Sequence, residues 1–110
     1  MAFDALEVAC ALASALRGPL EQVRKHDKDL ADQMRRATSS VALCVGEARQ
    51  RAGRDQAHLY RVAAGSAAEV ATALRLAIAW GYVGEREVGE ARALLAREES
   101  MLWRLTHRRG

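Results

Sequence analysis

Between Leu30 and Ala48 the apolar positions are Leu30, Met34, Ala37, Val41, Cys44 and Ala48, in steps of four and three without a slip. That is the period of an α-helix that buries one seam against its neighbours. The same seam recurs at Leu59, Ala63, Ser66, Val70, Ala73, Ala77 and Trp80. Val62, Leu74 and Ile78 widen it into a face broad enough for a bundle core or for two partners. Within that second run Ala63-Ala64-Gly65-Ser66-Ala67-Ala68 places six small residues in a row, a flank along which another helix can approach closely.

Two further helices flank this pair. The first spans about residues 3–25, on Leu6, Ala9, Leu12, Ala13, Leu16, Leu20 and Val23. Gly18-Pro19 interrupts it, and an interior proline costs about 3 kcal/mol, so a kink is expected there. The last spans about residues 85–106, on Val88, Ala91, Leu94, Leu95, Leu102 and Leu105. Glu98 falls close to that stripe and reads as an interface or partly buried carboxylate. Glu85 and Glu87 suit the positive end of this helix, and Arg104, His107, Arg108 and Arg109 its negative end. The middle helices span about 28–52 and 55–80. Asp27 or Asp29 is placed to cap the former, and Asp55 the latter. Gly81 fits a left-handed helix stop with Tyr82 folding back. Short turns make sequential helices antiparallel. The expected fold is therefore all-α, an up-down-up-down four-helix bundle in a single domain over residues 1–110. Each helix holds one internal glycine (Gly18, Gly46, Gly65, Gly89), at a cost of about 1 kcal/mol against alanine, which points to close helix contacts at several of these points, with Gly18 alternatively a part of the kink.

Several function classes find no support. Cys10 and Cys44 sit at apolar helical positions without metal-ligand spacing, and read as buried free thiols. A di-metal bundle needs repeated Glu-x-x-His motifs, and the nearest match is a single Asp55-Gln56-Ala57-His58. No glycine-rich phosphate loop and no credible nucleophile–base set is present, so neither an enzyme, a metal nor a cofactor is expected. No uninterrupted apolar run reaches about 18 residues, so no membrane span is expected and a cytoplasmic location is.

Charge is more informative. The formal net charge is +3, and all but Lys25 and Lys28 of the 17 cations are arginine. Arginine's planar fork suits phosphate and carboxylate, although a GC-rich coding sequence enriches it too. Arg49, Arg51 and Arg54 cluster at the second turn, Arg35 and Arg36 lie three to four turns back, and Arg61 extends the group into the third helix. Such a patch can contact nucleic-acid phosphates, or can be a solvated helix end. Asp32 with Arg36 is placed for an i,i+4 ion pair, and Arg36, Glu47 and Glu69 for a structural charge cluster between the middle helices. Val62, Ile78, Trp80 and Trp103 exceed what one four-helix seam requires and are candidate subunit contacts. Trp103 stands among cations, where an aromatic can stack a base, but packing is the commoner role.

From Leu30 through Val83 the order of short motifs resembles the four-helix-bundle family named for proteins encoded in intervening sequences of bacterial 23S rRNA genes. The matching steps are Gln33-Met34-Arg35-Arg36-Ala37, Val45-Gly46-Glu47-Ala48, Ala63-Ala64-Gly65-Ser66-Ala67-Ala68-Glu69, Leu74 and Gly81-Tyr82. Cys44 and Ala48 depart from the family's asparagine and glycine at the second step. The resemblance implies a ring-forming homo-oligomer, commonly a pentamer. One branch of the family is the basic accessory protein of diversity-generating retroelements, which binds nucleic acid and a reverse transcriptase. On these grounds the chain is expected to be a non-enzymatic oligomeric bundle that binds RNA or DNA, with a protein-only scaffold as the alternative.

Overall fold

The Gly18-Pro19 step divides the expected first helix in two. The computed structural model describes residues 4–107. In it α1 (Ala5–Ala15) stops at Leu16, and α2 (Arg17–His26) begins at the next residue. Pro19 thereby falls in the first turn of α2, where a missing backbone N–H costs nothing. The hydrogen-bond ladder still bridges the break, since Leu16 N donates to Leu12 O at 3.0 Å and Leu20 N to Leu16 O at 2.8 Å. The two segments act as one kinked rod.

The remaining helices are α3 (Lys28–Ala48), α4 (Gly53–Ala79) and α5 (Gly89–Thr106), and no strand occurs among the described residues. The fold is all-α. The starts and stops follow local chemistry. Asp27, not Asp29, caps α3 by accepting from Leu30 N at 2.9 Å. Asp4 and Glu7 form a reciprocal capping box on α1. Gly53, at φ 61°, turns the chain into α4, and Asp55 lies inside the first turn without capping it. Gln56 serves the opposite end: its Nε2 donates to the carbonyls of Ala48 and Arg51 where α3 stops, the former also accepting from Arg51 N at 3.1 Å. Gly81, at φ 79°, ends α4 as expected, and Tyr82 N returns to Ala77 O at 2.9 Å. The fifth helix starts four residues later than the charge pattern suggests. Glu87 closes a turn on Gly84 N at 2.8 Å, so Glu85 and Glu87 precede the helix instead of lining its first turn.

The rods pack in a closed cycle, with α1 on α3 and α5, α3 on α4, α4 on α5, and α2 on α3. At about 1.5 Å per residue, α4 accounts for most of the molecule's 44 Å length. By length and composition α4 is also apolar enough to cross a bilayer. Here Ala63, Ala67, Val70, Ala73, Leu74 and Ala77 are buried in the core instead. They join Leu12, Leu16, Met34, Val41, Val45, Val88 and Leu102, all fully buried or nearly so.

Four expectations need correction. Cys10 is exposed and Cys44 only half-buried, because Val45, Thr38 and Ala31 take the core side of α3. The helical glycines do not mark close contacts within the subunit. A methyl group at Gly18, Gly65 or Gly89 would meet nothing within 4 Å, and at Gly46 only Leu6 Cδ1 at 3.9 Å. Asp32 pairs with Arg24 of α2 at 2.7 Å, not with Arg36, and that guanidinium holds its carboxyl below the usual carboxylate range. No Arg36–Glu47–Glu69 cluster forms. Glu47 binds Arg51 at 3.0 Å, Arg36 and Glu69 are exposed, and a Ser66–Ser40 hydrogen bond of 2.8 Å occupies the seam between α3 and α4.

Candidate nucleic-acid interface

All six arginines singled out above are exposed, but they do not form one patch. Arg49 and Arg51 close the end of α3, and Arg54 opens α4 one short connection later. Arg61 follows Arg54 by seven residues, about 10 Å along the same stripe of α4. Two of these charges are partly answered. Arg49 reaches Asp4 at the start of α1, at 3.3 Å, and Arg51 reaches Glu47. Both pairs are about half exposed, so each contributes little to stability and yields readily to another anion. Among the described residues Arg54 and Arg61 have no ion-pair partner.

Arg35 belongs elsewhere. Fourteen residues separate it from Arg49, about 21 Å of helix. It lies with Arg17 on a shallow groove between the α1–α2 rod and α3, lined by Ala13, Leu20, Thr38 and Ser39. Arg36 stands on the outer side of α3. The sequence grouped Arg35 and Arg36 with the turn because it reads distance along the chain.

The structure instead brings in Arg104. It borders a groove at the same end of the molecule as Arg49, with Tyr60, Leu6, Met101 and Leu105 between them. Residues 1–3, which precede this groove, lie outside the described range, as do Arg108 and Arg109. The basic end thus comprises Arg49, Arg51, Arg54, Arg61 and Arg104. Only the packing of α5 beside α1 shows that Arg104 joins the set. Among the described residues no three His, Cys, Asp or Glu side chains are placed to hold a metal.

The candidate contact residues also separate. Val62 (39% exposed) and Trp80 (65%) lie on one flank of α4, with Glu69 and the exposed Leu76 between them at helical spacing. Leu43 of α3, 72% exposed, stands beside this flank. The Ser40–Ser66 bond sets the level: Leu43 is three residues past Ser40 and Val62 four before Ser66, on antiparallel helices. Trp80 continues into a ring stack on Tyr82, which stacks in turn on His26 at 5.1 Å. Ile78 is half-buried and packs against the core. Trp103 is 60% exposed on α5 and stacks on His107, so it is not packed into the bundle.

One buried group was only half anticipated. Glu98 of α5 is completely enclosed, and among the described residues neither carboxylate oxygen has a hydrogen-bond partner. Loss of hydration, and secondarily the negative charge of Asp4, pushes its pKa up to about 7.

Comparison with known proteins bears on the family and the fold. The family described as 23S rRNA-intervening sequence proteins matches residues 3–104. A solved structure from Bacteroides thetaiotaomicron, described as a protein of unknown function from the S23 ribosomal protein family, superposes with a TM-score of 0.84. It shares 17% identity and covers 94% of this chain and 99% of its own. A search of curated proteins finds no match.

Proposed function

The chain belongs to the family of 23S rRNA-intervening sequence proteins, and from that premise we propose a non-enzymatic, homo-oligomeric, nucleic-acid-binding bundle. The observation that carries this reading is the basic end, where Arg54 and Arg61, unpaired among the described residues, share one stripe beside Arg49, Arg51 and Arg104. Guanidiniums in that arrangement neutralise successive phosphates and release counterions. Repetition of the end around an oligomer multiplies weak contacts into useful affinity. An accessory role beside a reverse transcriptase, and a cytoplasmic setting, are in keeping with the family resemblance.

The test is binding of a mixed RNA and DNA pool at two salt concentrations, with mass read by light scattering on the same samples. Replacing Arg49, Arg51 and Arg54 with glutamine is expected to abolish binding at moderate salt and leave the mass unchanged. The slope of log affinity against log salt should flatten by roughly 0.9 for each phosphate that is no longer neutralised. Unchanged binding by the triple variant would remove this end from the interface.

A second reading, a scaffold that binds protein only, is favoured by one observation: the apolar flank of Leu43, Val62, Leu76 and Trp80. A stable oligomer with no nucleic-acid binding at low salt would make it the better account.

A further inference from the structure

We propose that Trp103 and His107 form a stacking platform for an unpaired base of single-stranded nucleic acid, a refinement that rests on the nucleic-acid reading above. The local geometry is built for a flat partner. The two rings lie 4.2 Å apart at 13°, nearly parallel. His107 caps α5, and its Nδ1 lies 2.8 Å from the Trp103 carbonyl oxygen and 3.1 Å from Thr106 Oγ1. An Nδ1–H donated to that carbonyl fixes the imidazole against the indole. Thr106 Oγ1 in turn donates to Leu102 O at 2.9 Å, which holds the last turn of the helix together. The indole is thus supported by the imidazole and still 60% exposed. A ring held in place before binding loses little side-chain freedom when a base arrives.

The surroundings select the partner. Met101, Leu102 and Leu105 turn toward the core, and Trp103 is the one large apolar side chain exposed on α5. A protein contact would bring an apolar neighbourhood with it, as the α3–α4 flank does. Instead the residue that follows Trp103 is a cation, Arg104; residues 100–107 hold no acid, and the nearest one is Glu99, one turn earlier on the same face. Arg104 also borders the groove it shares with Arg49, which joins the platform to the basic end. An aromatic face among arginines is the arrangement that binds single strands with little sequence preference, since every base has a π-face.

The test uses a 20-nucleotide strand carrying the fluorescent base 2-aminopurine, and the same strand as a duplex, at low salt. The single strand is expected to bind more tightly and to lose 2-aminopurine emission on binding. Trp103→Ala should weaken the strand by roughly tenfold and leave the duplex unchanged. If wild type binds but Trp103→Ala binds the strand equally well, the platform is wrong while the nucleic-acid reading stands. If wild type binds neither probe, both fall. If Trp103→Ala changes the mass by light scattering, the ring is a subunit contact and the platform is wrong.

Discussion

Two regions of this molecule invert the usual placement of side chains, and they do so in opposite senses. Around Glu98 a carboxyl is enclosed in the core with no partner among the described residues for either oxygen. Along the α3–α4 flank, Leu43, Val62, Leu76 and Trp80 face water. The first cost is internal: whatever the subunit binds, a carboxylate there lacks hydration and must take up a proton to avoid the penalty. The second is conditional, because apolar surface on a flank is unfavourable only while nothing covers it. Glu98 therefore reports on the fold of one chain, and the flank on the proposed assembly.

Variants can pull these apart. The largest expected effect is at the flank. Val62→Glu combined with Leu76→Glu should reduce the proposed assembly to monomers by light scattering. The monomer's own unfolding should change by no more than about 0.5 kcal/mol per site, since both positions are exposed. An unchanged mass would show that this surface is not the contact.

The next effect is at Glu98, and its sign follows from the raised pKa. The folded chain holds the proton more tightly than the unfolded chain, whose group titrates near 4.5. Below pH 4.5 both states are protonated and no penalty exists. As pH rises through about 7 the folded state loses stability, in total by about 3 kcal/mol. Glu98→Leu should remove that dependence, so that urea unfolding shows a gain of about 3 kcal/mol at pH 8 and far less at pH 4. Equal gains at both values would mean that packing, and not ionisation, sets the cost.

The smallest effect separates the regions most finely. Gly65 lies inside α4 with open space where a Cβ would stand. In the isolated subunit Gly65→Ala should stabilise by about 1 kcal/mol through helix propensity alone. If a second copy approaches α4 at this point, the same methyl should weaken the assembly, and a concentration series of melting curves would show the loss.

The sequence supplied the rods more readily than the site. The seam from Leu30 to Ala48 and the stop at Gly81 follow from side-chain period and backbone freedom, both local properties, and the fold honours them. The depth of Glu98 was not legible, because a position on the edge of a stripe is buried or exposed according to the neighbouring helix. The small run at Ala63–Ala68 was misleading for a related reason. Six residues travel more than once around a helix, so Ala63 and Ala67 pack while Gly65 and Ala68 do not. The basic end was visible where the chain turns, at Arg49, Arg51 and Arg54. Arg104 joined it, and Arg35 left it, through contacts between segments far apart in sequence.

A carboxyl that titrates near neutrality also makes the charge of this protein a variable. The formal value of +3 counts Glu98 as ionised, yet with its pKa pushed up to about 7 part of the molecules hold a proton there close to neutral pH. Modest acidification fills the remainder, so each copy becomes more cationic over a range in which ordinary carboxylates do not respond. In an assembly that increment is multiplied by the number of copies, and a polyanion would meet a surface whose attraction is adjusted from inside the core.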